Sequence, residues 1–420
     1  MPATLQSVDA ILKDDYKSYW ENLNQAVFIL AQINKKTDSV VGRLARHAIH
    51  TGRSAGVGAR QEPSTTELLP DADQQRHASV FIPIRRVYGR IQLDGPMIDQ
   101  ANSDRGAFIE GMKSEMDGIR SDSMVDTNRQ LWGLSNGVMA QCGVTTAANV
   151  VVLATTTTLT QMRHLFVNRL VDIGTVASPF TIAQKRTITA ADPVNKTITI
   201  SGAVVTTTAA HFVFNNGSGG ASSNTPVVND GQRELTGLQT IVGSTTTILH
   251  GLDPSTTPVW KPQVYTTAGF PTETGITGAL MNNSVESGRA VELLVSNIGV
   301  ALSVGNLLLS IKRNMDQVTL KGGFKAVQWS SMMVSGVEGG QPALYVDKDA
   351  PANSLYGLCP AAFVWHQVGA GWRWMDRDGS ILSRVSNQDA YEATLFTYAE
   401  LACGQRNANF AFNALTETTV

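Results

Sequence analysis

Phosphate chemistry is the first possibility raised by the residues, in the run GRSAGVGAR over residues 52–60. Exposed backbone N–H groups in such a glycine-rich run can cradle an anion. The run lacks the Gly-Lys-Ser/Thr ending of a phosphate loop and the third glycine of a dinucleotide fingerprint, so nucleotide binding is not expected. His47 and His50 stand three apart, but no Cys, Asp or Glu close in sequence completes a zinc motif, and a solvated or hydrogen-bonded pair is expected instead. Asp376 and Asp378 precede Gly379 in MDRDGS, as in a calcium loop. The position that needs a glutamate is Asn387, so a tight Asp-Gly turn between strands is the better reading. Cys142, Cys359 and Cys403 are far apart with no CxxC pair, which suits buried thiols in a reducing cytoplasm. Neither a GxSxG elbow nor an HExxH helix is expected, so the commonest hydrolase signatures should be absent. The expectation is a protein with no catalytic, cofactor-binding or metal residues, although a triad assembled from distant parts of a chain leaves no local signature.

Composition agrees with a protein that works through its surface. The 420 residues are 42% hydrophobic, enough for one large core or several smaller ones. Lys and Arg (33) nearly balance Asp and Glu (35), so no whole-molecule field draws the chain to nucleic acid or an anionic membrane. Charged residues are only 16%, against roughly 25% in ordinary soluble domains. Such depletion fits a surface covered by neighbours, because interface cores shed charge. Asp9, Lys13, Asp14 and Asp15 interrupt any apolar run of signal-peptide length. Residues 130–162 hold no Asp, Glu, Lys or Arg, but their Thr, Asn, Gly and Gln content argues against a membrane span.

The elements that would carry this surface can be read along the chain. Between Ile11 and Ile33, Tyr16, Trp20, Leu23, Val27 and Leu30 recur at steps of four and three. That spacing predicts an amphipathic helix whose stripe buries against a later part of the chain or another subunit. Glycines between Gly42 and Gly58 and prolines at 63, 70 and 83 then predict an extended, mobile hairpin, its closing arm Val80 to Leu93 a strand. Between Thr37 and Met112 there are nine arginines and no lysine. Arginine's planar fork favours bidentate pairing with carboxylates across interfaces. The candidate subunit-interface residues are Trp20, Val27, Arg53, Arg60, Glu62, Glu67 and Arg76.

Asn102, Ser103 and Asp104 offer N-cap chemistry, and Phe108, Met112, Met116 and Ile119 follow at helical spacing. A helix from Ser103 to Trp132, stopped at Gly133, would be roughly 45 Å long, which implies an elongated subunit. Gly111 and Gly118 within it permit bending or close approach of another chain. LTQMRHLFVNRLVDIG predicts a second helix with Leu159, Met162, Leu165, Phe166 and Leu170 on one face. From Ala177 to Asn229 a period of two appears on both sides of a turn at Asp192 to Asn195, a β-rich insertion. Helices near Glu273 to Ser287 and Ala301 to Asn314, a strand at Val291 to Ser296 and one or two long closing strands complete an α+β architecture.

Several segments, in their order and at their distances, resemble the major capsid protein family of tailed bacteriophages. They are NLNQAVFILAQINK, GRLARHAIHTGRSAGVGARQE, VYGRIQLDGPMIDQ and GAFIEGMKSEMDGIRSDSMVDTNRQLWG, then GLDPSTTPVW, ALYVDKDAPANSLYGL, MDRDGSILSRV and YEATLFTYAELACGQRNANFAFNAL. The resemblance implies an N-terminal arm at 1–47, an extended loop at 48–90 and a peripheral domain at 91–176 whose spine helix is 103–132. An insertion domain would occupy 177–230 and an axial domain 231–374, with a return to the peripheral domain at 375–420. It further implies hexamers and pentamers of this chain tiling an icosahedral shell, assembled in the host bacterial cytoplasm and found in the virion. Portal, scaffolding and decoration proteins are implied partners, and packaged double-stranded DNA would be met through weak, nonspecific contact. Some members join neighbours covalently through a lysine in the extended loop. This loop has none, so a non-covalent lattice is expected. The alternatives are an encapsulin-like compartment shell, a β-rich tail or adhesin protein, and an enzyme with a non-local site.

Overall fold

The computed structural model describes residues 27–37, 40–42, 44–59, 71–95, 105–218, 233–266, 268–310, 317–320, 325–328, 342–369, 371–376 and 379–418. The first described element is a short helix, α1 (Phe28–Gln32), after which the chain extends into β1 (Asn34–Lys36). Of the long first helix expected from Ile11 to Ile33, residues 11–26 lie outside the described part. Val27, Phe28, Ile29 and Leu30 are all buried, so this helix is surrounded rather than striped, and Phe28 stacks on Tyr345. β2 (Val40–Val41) and β3 (Leu44–Gly52) follow. β4 (Arg76–Pro83) pairs antiparallel with β3 from Leu44↔Pro83 to Gly52↔Arg76, the hairpin that the glycines and prolines foretold. The arm expected to run from Val80 to Leu93 as one strand breaks at Ile84, and β5 (Arg85–Asp94) joins a different sheet.

The long helix is α2 (Arg105–Trp132), 28 residues and about 42 Å. Its last six residues, Thr127 to Trp132, are all buried, plugging the helix end into the main core. Midway, Ile119 lies against β5 at Gly89, where a Cβ would meet the isoleucine at 3.0 Å. Gly118 faces open space within the subunit. Gly133 ends the helix without a left-handed conformation: its N–H reaches the Gln130 carbonyl.

A separate β-rich unit comes next. β6 (Val138–Gln141), β7 (Thr145–Ala148) and β8 (Val150–Val152) precede a helix, α3 (Leu159–Arg163), which is closed at its start by a capping box of Thr158 and Gln161. The predicted second helix stops there. Asn168 adopts φ +70°, and the β-branched run that follows forms β9 (Leu170–Gly174). Met162 and Leu165 are buried but Leu159, Phe166 and Leu170 are exposed, so the five do not share a buried face. β10 (Ala183–Asp192) and β11 (Thr197–Ile200) form the hairpin read from alternation, with Asp192 opposite Thr197, and Asp192 accepts from the N–H groups of Val194 and Asn195. β12 (Val205–Thr207) pairs with β7, and β13 (Phe212–Asn215) completes a sheet ordered β6-β13-β9-β10-β11-β8. This unit has its own core of Met139, Val151, Leu165, Val171, Ile188, Ile198 and neighbours. It begins at β6, so a boundary at 176/177 falls inside one sheet.

After α4 (Leu238–Val242) come β14 (Gln263–Tyr265), α5 (Glu273–Ser287), β15 (Leu293–Ser296) and α6 (Ile298–Ser310). β16 (Gln317–Thr319), β17 (Lys325–Gln328), β18 (Ala343–Val346) and β19 (Leu355–Leu358) follow. The remaining strands are β20 (Phe363–Gln367), β21 (Arg373–Trp374), β22 (Ser383–Arg384), β23 (Ala390–Cys403) and β24 (Phe410–Phe412). A mixed seven-stranded sheet runs β14-β24-β19-β15-β18-β17-β16, with α5 and α6 closing a core around Ile276, Leu294, Val304 and Phe410. The second large sheet is organised by β23, with β5 on one edge and β22, β21 and β20 in succession on the other, and β1 outside β20. β20 and β21 therefore leave the segment expected as axial, and β24 returns to it. Helices and strands without a βαβα order make this the α+β chain expected.

Candidate lattice-forming site

Among the described residues, the hairpin of β3 and β4 is buried only at its root. Ala45, Ile49, Val80 and Ile82 join the main core, whereas residues 53–59 and 71–77 are exposed or only partly covered. Local polar bonds hold this outer part. Ser54 Oγ donates to the Asp73 carbonyl (2.9 Å), the Ala55 N–H to Asp73 Oδ2 (2.8 Å), and His50 bonds Gln75 (2.6 Å). A two-stranded ribbon that buries so little is marginal in water.

Two contacts lie beside the root, one made by the adjoining β5 and one by β3 itself. Arg85 Nε donates to Glu400 Oε2 at 3.1 Å, and Glu400 also accepts from the N–H groups of Thr236 and Leu401. Burial pushes the Glu400 carboxyl up to about 7, against the opposing pull of Arg85. His47 on β3 meets His366 on β20, Nε2 to Nε2 at 2.8 Å.

Two polar networks tie the end of α2 to the rest of the subunit. Arg129 grips Glu234 with both terminal nitrogens (2.6 and 3.2 Å) and Asp126 with Nε (2.9 Å), and Arg169, from the β-rich unit, reaches the same Asp126 oxygen at 3.0 Å. Burial alone would raise the Asp126 carboxyl, but the guanidiniums of Arg129 and Arg169 outweigh it and hold its pKa far below the usual range. Asn128 donates to Asp347 (3.0 Å) and Asp349 (2.7 Å), and Asp349 is bonded by His164 (2.8 Å) and paired with Arg163. α2, the β-rich unit and the loop after β18 are thus joined by charge-assisted bonds.

The expected interface residues fall in three places. Arg53 and Arg76 are exposed on the hairpin. Val27 is buried in its own subunit's core. Trp20, Arg60, Glu62 and Glu67 lie outside the described residues. Arginine pairing is partly satisfied inside the subunit, since Arg85 pairs with Glu400, Arg90 with Glu392, and Arg46 bonds Ser79 while lying over Phe81.

Sequence reasoning missed two G-x-S-x-G strings, GRSAG at 52–56 and GLSNG at 133–137. Neither builds a nucleophile elbow, which needs a strand-to-helix turn and a base on the serine. Ser54 lies on the exposed hairpin and donates to a backbone carbonyl. Ser135 has φ +64° and is buried between a helix and a strand, where its Oγ bonds Thr240 and accepts from the Gly237 N–H. The Asp376 carbonyl accepts from the N–H of Gly379, which has φ +82°, and Arg377 and Asp378 of the turn expected in MDRDGS lie outside the described residues. The three cysteines are free and buried, and no cluster of three or more metal-ligating side chains occurs among the described residues. No helix among them is long and apolar enough to cross a membrane.

No family model and no curated protein matches the sequence. Solved structures do. The capsid asymmetric unit of cyanophage A-1(L) superimposes with a TM-score of 0.51 at 11% identity, over 93% of this chain and 93% of that one. The capsid of a native GTA particle gives 0.44 at 8% identity, over 93% and 91%. The SrpI encapsulin of Synechococcus elongatus PCC 7942 gives 0.28 at 12% identity, over 38% of this chain and 56% of that one. The hairpin, α2 and the two large sheets thus stand in a chain that shares, over nearly its whole length, the fold of the cyanophage A-1(L) capsid chain.

Proposed function

We propose that this chain is the major capsid protein of a tailed phage, assembling as hexamers and pentamers into an icosahedral shell around double-stranded DNA. One observation carries the reading: the described outer residues of the β3–β4 hairpin, 53–59 and 71–77, are exposed or only partly covered by their own chain. A neighbouring subunit supplies the missing surface, and many such contacts sum across a closed lattice. The work is geometric, and no catalytic group takes part. Without a lysine between residues 48 and 90, the lattice is held by packing and arginine pairing rather than by loop-lysine cross-links. DNA meets the inner face through weak backbone contact.

Electron microscopy of the expressed chain tests the reading. Closed icosahedral particles are expected, and elongated fibres or a persistent monomer would refute it. Nucleic acid extracted from particles of phage-infected cells separates a viral shell from a protein-filled compartment. Mass spectrometry of boiled particles should find monomers only.

A further inference from the structure

We propose that the contact between His47 and His366 is an acid-sensitive latch, which fastens the hairpin root to the sheet around β23 and lets go when both rings are protonated. The two Nε2 atoms are 2.8 Å apart and the rings meet edge to face with centroids at 4.7 Å. Such a contact is a hydrogen bond only while one Nε2 carries a proton and the other offers a lone pair. A doubly protonated pair sets two donors face to face.

The surroundings make protonation harder still. Lys36 of β1 sits in register beside His366, and His250, in the turn at 249–252, feels both rings together with Arg85 of β5 and Arg406 of the turn after β23. Glu400 is the acid in this group, placed opposite His366 across the β20–β23 pair and already bound by Arg85. Burial, then His47 and Lys36, lower His366 to about 4, and burial and Lys36 lower His47. Because both lie below the free-imidazole value of 6.5, the latch is at full strength above that pH and weakens as pH falls toward about 4. His250, lowered to about 3, has the same sign. Glu400, raised, has the opposite sign, but its partners are in β5, β23 and the 234–237 segment, which the hairpin does not take with it.

Amide hydrogen exchange on the full chain at pH 7.5 and pH 4.5, corrected for intrinsic rates, tests this. Protection over residues 44–50 should fall more than about tenfold in acid, while that of β10 and β11 holds. His47→Gln and His366→Gln, which keep a hydrogen-bonding side chain without the titration, should each abolish most of the drop. Should neither variant fold, histidine C2–H exchange in the native chain should give midpoints below 6.5 for both rings. Acid-independent protection at 44–50, an equal loss in every strand, unchanged acid response in the glutamine variants, or midpoints at 6.5 would each overturn the latch.

Discussion

Arg406 is fully buried and faces no carboxylate. Its guanidinium donates to the carbonyls of Ile241 (2.8 Å), Thr247 (2.9 Å) and Ser244 (3.1 Å), reaches that of Thr240 at 3.5 Å, and lies 5.8 Å over the Trp260 ring. These oxygens end α4 and line the loop after it, where a helix leaves its carbonyls unpaired and its dipole negative. Burial lowers Arg406 to about 10, so it keeps its charge at neutral pH. Stranding three buried carbonyls costs about 1–3 kcal/mol each, and relief of the buried guanidinium's own desolvation offsets part of this, leaving ~3 kcal/mol net. Arg406→Met preserves bulk and strands the carbonyls. For 420 residues unfolding near ~0.9 kcal/mol per kelvin, that cost lowers Tm by about 3–4 °C. Calorimetry of the purified protein should show the drop, and amide exchange over 238–247 should rise. Arg406→Lys should fall between, because an ammonium cannot span the spread of acceptors. A methionine variant with unchanged Tm and unchanged exchange would refute the reasoning, since the carbonyls would then be satisfied without the fork.

A Cβ on Gly237 would lie 2.0 Å from the Gly133 carbonyl oxygen, so Gly237→Ala should abolish soluble expression; Gly278→Ala, in open space within α5, should be neutral or stabilise by up to ~1 kcal/mol in the same assay. Asp126 has a lowered folded pKa, so its contribution is complete above pH ~4 and disappears as pH falls further. Arg169→Leu should reduce that acid dependence of unfolding, measured by tryptophan fluorescence from pH 5 to 2, and an identical profile would show the pair to be inert. Arg76→Glu, at an exposed hairpin site, should leave circular dichroism unchanged but cut particle yield by light scattering; normal yield would make Arg76 a bystander.

Strong local signals were legible in the sequence. The 273–287 helix, the Asp192–Asn195 turn and the long helix ending at Trp132 appear where they were expected, because there local preference and burial agree; the caps expected at Asn102, Ser103 and Asp104 lie outside the described residues. Long-range facts left no local trace. Nothing in LTQMRHLFVNRLVDIG shows that strand pairing with β10 and β13 overrides a helical period. Ile84 separates two strands only because β5 finds its partner three hundred residues later. The same holds at the candidate site. His47 was visible beside His50, but its partner is His366, and Glu400 shows its role only once β5 and β23 are adjacent. Arg129 and Asp126 were ordinary helix-surface residues until the 234 loop and Arg169 converged on them.

The dependence of β5 on β23 also sets a timetable. Ten residues of β5, from Arg85 to Asp94, find their ladder only in Ala390 to Ala399, and β1 finds its own in β20. During synthesis at about 5–20 residues per second, the hairpin and spine leave the ribosome long before the strand that anchors them. Pairings this distant form slowly. A nascent chain therefore holds its β3–β4 hairpin unmounted until the last few dozen residues arrive, and the sheet that anchors it closes at nearly the moment synthesis reaches β23.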